Sequence, residues 1–488
     1  MNNKYDDIII GAGIGGLVCG CYLAKQGRKV LIVEQHFQAG GYCSSFKRKG
    51  FTFDTSIHSI GSLREGGKVR KIFNELGLED EIELTRSDPT DILIFPGHTI
   101  FIRNKLNDTI ASFQESFPHE FEKIKDFFYF IYNFDFIKNY SNLKTKTFKD
   151  VLNIYFQDEK LKSIISIILG NIGLPASRVA ALPAIVLYKE FILDGGYYPK
   201  GGMQSFSNGL ARKFKKLGGE LRLKNKVEKI IIKKNKAVGI IIGKEEKIFS
   251  DNVISNCDAT HTFLDLIGKK FLSDKFVKKI DNLETSASAF VVYLGLNKSY
   301  NSILKNRCSW WCYLSDKYDV EKVFSDIKRK NKPYSDNFVF CIFTSSHDRS
   351  LAPERGETIS LVSLATVKDL DFWKKNKEKF ADDLIKRAEK FIPELSKHII
   401  VKEIATPHTM QRYTLNKDGA AYGWASTVTQ IDKEIMPRET NIKNLYLTGH
   451  WTTQGSGQGG VSTVAYSGRS IAKLLIRRKN FYEKKGIK

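Results

Sequence analysis

The chain has little of what marks a secreted, membrane-spanning or metal-dependent protein. Its 488 residues include only seven cysteines: Cys19, Cys21, Cys43, Cys257, Cys308, Cys312 and Cys341. That count is odd, and the first strand-like run starts almost at Met1, leaving no room for a signal peptide. The expectation is reduced thiols in a cytoplasmic protein. Cys308 and Cys312 flank Ser309-Trp310-Trp311 without further Cys or His ligands in pattern, and no His-Glu-x-x-His spacing occurs, so no metal site is expected. No Gly-x-Ser-x-Gly elbow is present, which argues against a hydrolase of that type. A spanning helix needs about 20 mostly apolar residues. The most apolar window, residues 163–188, is broken by Gly170, Pro175, Arg178 and Pro183 and does not meet that need. Internal repeats and low-complexity tracts are lacking too.

What remains is a globular composition. Hydrophobic residues make up 42% and charged residues 27%, enough for a large core and two or three domains. The formal net charge is +23, carried mostly by lysines spread from end to end. No compact Arg/Lys stripe accompanies a nucleic-acid motif, so no nucleic-acid partner is expected. The charge suits either a solvated lysine-rich surface or attraction to anionic lipid headgroups.

The strongest local pattern stands near the start. Tyr5-Asp6-Asp7-Ile8-Ile9-Ile10 reads as a buried strand. Gly11-Ala12-Gly13-Ile14-Gly15-Gly16 follows, then a helix over Leu17 to Gln26, then a strand Lys29 to Val33 ending at Glu34. This is the order of a dinucleotide-binding unit. Gly11 permits the tight turn, Gly13 the approach of a pyrophosphate, and Gly16 close packing of helix on sheet. The helix N-terminus offers free N–H groups to phosphate. Glu34 can accept from a ribose 2′-hydroxyl and disfavours a 2′-phosphate there.

The next residues narrow the choice by resemblance. Gly40-Gly41, soon after Glu34, resembles the second fingerprint of the large FAD-binding group that includes amine oxidases, carotenoid desaturases and Rab GDP-dissociation inhibitors. That group usually has arginine after the glycines; here it is Tyr42. Phe51-Thr52-Phe53-Asp54 resembles the step that leads the chain towards the flavin ring, without the group's following glycine. Asp54 and His58 lie in this segment and are the candidate catalytic residues, with proton transfer and a structural hydrogen-bonding role both open.

Further along, Tyr197 to Met203 marks a change of pattern. A helix is expected over Gln204 to Lys216, strand over Leu221 to Lys233, a turn at residues 234–236 and strand again over Ala237 to Ile242. In the resemblance, Val227 lies beside the adenine and Asn256 ends a strand near the nucleotide. Ala289 to Leu294 and Asn337 to Phe343 read as strands of a second sheet, followed by a helix from about Lys374 to Phe391. At the C-terminal end, Asn444 to Trp451 is a strand running into a loop, and the glycine-rich stretch Gly455 to Gly460 opens a helix near Val461. Beside a flavin, that helix dipole would favour negative charge at the N1–C2 carbonyl edge of the reduced ring.

Over nearly its whole length the chain resembles the phytoene desaturase and carotenoid isomerase family, with retinol saturases as relatives. Tyr198-Pro199-Lys200-Gly201-Gly202-Met203 and the C-terminal loop are the selective motifs; Gly457-Gln458-Gly459 and Val464-Ala465-Tyr466-Ser467-Gly468 are nearest the isomerases. Gly449-His450-Trp451-Thr452 departs from them, since His450 stands where an aspartate usually binds the ribityl chain.

The resemblance implies an α/β protein: a Rossmann-like FAD-binding domain with a second substrate domain of mixed sheet and helices. The first would comprise residues 1–75, 196–285 and 430–488, and the second, with an apolar tunnel, residues 76–195 and 286–429. FAD is the implied cofactor, contacted by Gly11, Gly13, Gly15, Gly16, Glu34, Gly40, Gly41, Val227, Gly449, His450, Gly460 and Val461. The implied reaction is desaturation or cis–trans isomerisation of a carotenoid or related long isoprenoid polyene. A retinol-saturase-like reductase, an amine oxidase and a flavin-free isoprenoid-binding protein are the alternatives. The usual aromatic cage of the amine oxidases, and their C-terminal flavin-attachment cysteine, find no counterpart, the last cysteine being Cys341.

One segment stands apart. Phe121, Ile124, Phe127, Phe128 and Ile131 have helical spacing, but Phe127 to Phe134 is aromatic on nearly every face. A helix buried on several sides explains this as well as one that lines a substrate channel or dips into a membrane. The second reading, with the charge, carries the expectation of peripheral membrane association.

Overall fold

The structure, a computed structural model, describes residues 4–300, 309–329, 331–431, 435–452 and 460–484, apart from the side chains of 480 and 482–484. Cys308 and the glycine-rich residues 455–459 lie outside it.

Two seven-stranded sheets organise the chain. At the centre of the first is β1 (Tyr5–Ile10), whose isoleucines are buried on both faces, as expected of a parallel strand covered by helices. The glycine loop leads into α1 (Ile14–Ala24), which returns the chain to β2 (Val30–Val33), parallel to β1. The parallel block continues outward from β2 to the strand Glu220–Arg222, and on the other side from β1 through the end of Glu246–Ser255 to Leu445–Leu447. Val227–Lys233, Lys236–Ile242 and the start of Glu246–Ser255 extend this sheet as an antiparallel ribbon. The ribbon's first turn is Lys234-Asn235, at φ 48° and 55°, the double left-handed geometry that matches strand twist in a two-residue hairpin.

The last helix, Gly460–Lys484, lies across α1. Its approach is close enough that a Cβ on Gly468 would stand 2.2 Å from the Gly15 carbonyl oxygen. Arg469 clamps the crossing with two bonds to Glu75, of 2.7 and 2.6 Å, on the helix Lys68–Leu76.

The second sheet runs, in order, Ile399–Ala405, Ser288–Leu296, Glu357–Ala365, Phe338–Ile342, Ser309–Tyr313, Asp91–Phe95 and His98–Ile102. All neighbours are antiparallel except Ser309–Tyr313 with Asp91–Phe95. Helices between Leu106 and Leu187 pack on it and form a single apolar core with it. The fold is thus the expected α/β one.

Several boundaries differ from the sequence expectation. α1 starts at Ile14, because its first turn runs through the glycines rather than after them. The strand expected over Leu221 to Lys233 is two strands, parted where Lys224 takes φ 59°. The helix expected from Lys374 begins at Leu370, capped by Asp369, whose carboxylate accepts from the Phe372 N–H at 2.7 Å.

The aromatic segment becomes the helix Phe121–Tyr132. Phe127, Phe128 and Ile131 are buried on its inner face, while Tyr129 and Tyr132 are exposed. The Phe127 ring meets those of Phe128, Phe156, Tyr155 and Phe148 at centroid distances of 5.0 to 6.4 Å. Among the described residues no helix is long and apolar enough to cross a membrane.

Phe127→Ala should cost about 3–5 kcal/mol in denaturant melts, the loss typical of an emptied aromatic core site. Ile137→Ser, at a position 87% exposed, should stay within about 0.5 kcal/mol of the parent.

Candidate active site

A cleft with about 1200 Å³ of empty space, part of it open to solvent, lies where β1 and β2 end. Ligands of open α/β sheets bind at such carboxyl ends. Gly11 turns the chain at φ 94° and donates its N–H to Val33 O at 2.8 Å. Gly13 is the N-cap of α1 and no side chain caps it, so the helix end offers its N–H groups to an anion. Glu34 accepts from Ala12 N at 2.8 Å and His36 N at 2.9 Å, one bond per carboxylate oxygen, leaving each oxygen a lone pair for a hydroxyl. Gly40 docks on the same loop through its N–H to Ala12 O at 2.9 Å.

Asn256 holds these pieces together. Cβ atoms added to Gly13, Gly15 and Gly449 would come within 2.9, 2.6 and 2.7 Å of its amide group. One asparagine therefore occupies the space left by glycines from both ends of the chain.

Of the residues expected at the cofactor, Gly11, Gly13, Gly15, Glu34, Gly40, Gly41, Val227, Gly449, His450, Gly460 and Val461 line this one cleft. Gly16 does not; it lies behind the loop, where a Cβ would stand 2.2 Å from Gly11 O.

Tyr42 and His450, the two departures from the expected pattern, belong to one cluster. Their rings face each other at 6.1 Å and 22°. Trp451 Nε1, a donor only, donates to Asn416 Oδ1 at 3.0 Å, which orients the Asn416 amide. Asn416 Nδ2 then faces Tyr42 Oη at 3.2 Å and His450 Nε2 at 3.4 Å. Ala420 O stands 3.3 Å from the same Asn416 nitrogen, so its two N–H groups are shared among three acceptors. Burial pushes the His450 pKa down to about 4, so the imidazole is neutral. Sequence reasoning missed Asn416 and Trp451 as parts of this cluster, since no local pattern links them.

A second cavity, with about 1130 Å³ of empty space, part of it open to solvent, adjoins the cleft. Tyr42, Ile57, Ala421, Tyr422 and Gly460 line both and mark their junction. Beyond it, Trp311, Phe338, Phe340, Ile342 and Val362 of the second sheet form an apolar wall. Asp54 and His58 line this cavity and not the cleft. Asp54 accepts from Ser45 Oγ at 2.6 Å, from Met203 N at 2.9 Å and from the Tyr198 hydroxyl. Burial raises its carboxyl above the usual range against the pull of those donors. The His58 ring stands edge-on to Phe340 at 4.9 Å, and burial, helped by His347, lowers its pKa to about 3, leaving it neutral.

An uncapped helix end, a carboxylate with free lone pairs, a paired-glycine passage and a mostly apolar junction suit the phosphates, ribose and ring of FAD, and the residues present fit it. The comparisons agree. The family model for flavin-containing amine oxidoreductases matches residues 14–476. A chloroplastic prolycopene isomerase of Daucus carota is 27% identical, over 96% of this chain and 79% of that protein. An all-trans-retinol 13,14-reductase of Danio rerio is 25% identical, over 91% of this chain and 82% of that protein. A crystal structure of an oxidoreductase from Methanosarcina mazei superposes with a TM-score of 0.69 at 18% identity, covering 96% of this chain and 99% of that one. The chain belongs to the flavin-containing amine oxidoreductase family, and its cofactor is FAD.

Purified protein should be yellow and release FAD on denaturation. Gly13→Leu should be colourless, because its side chain would displace the Asn256 amide or fill the pyrophosphate's place. Absorbance near 450 nm per folded chain reads the difference, and a colourless wild type that cannot be reconstituted would refute the assignment.

Proposed function

We propose that this protein is an FAD-dependent oxidoreductase acting on a long isoprenoid polyene of carotenoid or retinoid type, held in the second cavity with its reacting bonds at the junction. The observation that carries the reading is the joining of a largely apolar, aromatic-walled cavity to the cofactor cleft through Tyr42, Ile57, Ala421, Tyr422 and Gly460. The names of the prolycopene isomerase and retinol reductase relatives support the substrate class. In this reading residues 1–75, 196–285 and 430–488 carry the cofactor, and residues 76–195 and 286–429 carry the substrate.

FAD supplies two-electron redox chemistry. The chain supplies a dry channel wall, orientation at the junction and control of protons. Gly11, Gly13, Gly15 and Gly16 shape the phosphate end, Glu34 holds ribose, and Gly40 and Gly41 pass beneath the pyrophosphate. Val227 stands at the adenine, and Gly449, His450, Gly460 and Val461 stand towards the flavin. Asp54, with three donors bound, ties the loop to Tyr198 and Met203. His58 is the candidate for proton exchange with a substrate.

Amine oxidation is the second reading, favoured by the two tyrosines at the junction. Against it, the cavity's carboxylate, Asp54, already accepts from Ser45, Met203 and Tyr198, which fix it as a structural tie.

Anaerobic assays with phytoene, poly-cis lycopene and an all-trans polyene separate the reactions. Added double bonds identify a desaturase, unchanged mass with new geometry an isomerase, and a gain of two hydrogens a saturase. Turnover of simple amines with every polyene untouched would sink the polyene reading.

We also propose peripheral attachment to anionic membranes, from which a water-insoluble substrate is collected. Tyr132, Phe136, Ile137 and Ile154 are exposed on the helices Phe121–Tyr132, Phe136–Leu143 and Phe148–Tyr155, with Lys138 and Lys149 exposed among them. Vesicles containing phosphatidylglycerol should sediment the protein at low salt and release it as salt shortens the screening length to about 8 Å at 0.15 M. Ile137→Asp should weaken the attachment, and indifference to vesicles at low salt would end the proposal.

A further inference from the structure

We infer that Trp311 is the stop of the second cavity: it limits how far a polyene chain reaches beyond the cofactor junction, and Asp91 holds it in place. The inference rests on the polyene reading above and adds to it a limit on the length of chain held.

The second sheet gives the cavity its direction. Five of its strands follow one another in the order Ser288–Leu296, Glu357–Ala365, Phe338–Ile342, Ser309–Tyr313 and Asp91–Phe95. The junction lies at the first of them. Ala421 and Tyr422 are tied to the chain that enters it, Ala421 N donating to Ala287 O at 3.1 Å and Tyr422 N to Ser286 Oγ at 2.9 Å. From there Ser288–Leu296, Glu357–Ala365 and Phe338–Ile342 each give the cavity three side chains, alternate residues on one face of the sheet. Among the described residues, Ser309–Tyr313 gives only Trp311 and Asp91–Phe95 gives none. Along the sheet the cavity therefore crosses three strand spacings, about 14 Å, and ends at Trp311.

The indole closes that end from layer to layer. On the sheet its ring lies 4.0 Å from that of Phe340. On the helical side it reaches the short helix Ile167–Asn171, where a Cβ on Gly170 would come within 2.9 Å of it. Behind it stands Leu93, its register partner on the next strand, fully buried in the same apolar core. Packed side chains therefore back the ring, and a chain end that arrives there meets overpacking. Trp311 Nε1, which can only donate, bonds Asp91 Oδ1 at 2.8 Å, and Asp91 is itself buried. That bond fixes the orientation of the ring, which makes Asp91 a positioning residue.

The test offers the FAD-loaded protein an equimolar series of linear all-trans polyenes in detergent micelles, each member one isoprene unit longer than the last. The polyenes retained after gel filtration are extracted and quantified. A unit inside the cavity exchanges one apolar surrounding for another, whereas a unit beyond the stop leaves the micelle with nothing in return. Retention by the wild type should therefore peak at one length and fall at least about tenfold for the next. Trp311→Ala should move the peak one unit longer, since an isoprene unit and a strand spacing are both about 5 Å. Trp311→Phe should lift the next longer member relative to the peak. Trp310→Phe, in the core on the other face of the same strand, should leave the profile unchanged. Asp91→Leu should broaden the peak towards longer members, and Asp91→Asn, which keeps an acceptor oxygen, should restore it. FAD content shows that a variant is folded; should Trp311→Ala fail, Trp311→Phe decides. A flat wild-type profile, a profile unmoved by the Trp311 substitutions, or one moved equally by Trp310→Phe overturns the inference and leaves the polyene reading standing. Retention of no polyene overturns both.

Discussion

The cofactor half of this protein depends on one packing constraint, the space around the Asn256 side chain. Three glycines, at positions 13, 15 and 449, leave that space free, and a methyl group on any of them would overlap the amide. Two of these glycines belong to the first loop, the third to the loop after Leu445–Leu447, and Asn256 follows a strand from the middle of the chain. The contact therefore brings three sequence-distant segments to one point. Once they meet, the end of α1 faces the cleft, and Glu34 and Gly40 fall into place through bonds to the backbone of Ala12.

The other half contributes a surface nearly without charge. Its sheet presents aromatic and branched side chains to the second cavity, and its ionisable groups there are held neutral by burial or tied to fixed donors. The junction follows the same rule. Tyr42, Asn416 and His450 form a neutral hydrogen-bonded cluster whose polarity is set by the one-way donor of Trp451. Such a site offers an apolar ligand a matching wall and an ion little compensation for its lost water.

The first glycine loop was legible in the sequence because its demands are local: a turn at Gly11, a helix start, a strand, an acid. Fold class was legible for a similar reason, since buried parallel strands read as short isoleucine and valine runs. The Asp369 cap was legible and passed over, which put the following helix four residues late. Asn416, Trp451 and Tyr422 were not legible. Their roles arise only when the segment after Ile399–Ala405, which carries Asn416 and Tyr422, meets Trp451 in the loop after Leu445–Leu447. The aromatic segment was ambiguous for a physical reason. A helix between a large core and solvent can carry rings on both sides, with Phe127 inside and Tyr132 outside.

The contact between Gly468 and the backbone at Gly15 bears on how the molecule comes into being. The nucleotide-binding unit cannot be finished until the helix Gly460–Lys484 has been made, because that helix covers α1 and presses on its first turn. For most of synthesis the nucleotide-binding unit waits with an apolar flank uncovered, and closing so distant a contact is slow. A cofactor that binds only the closed form then acts as a late fastener.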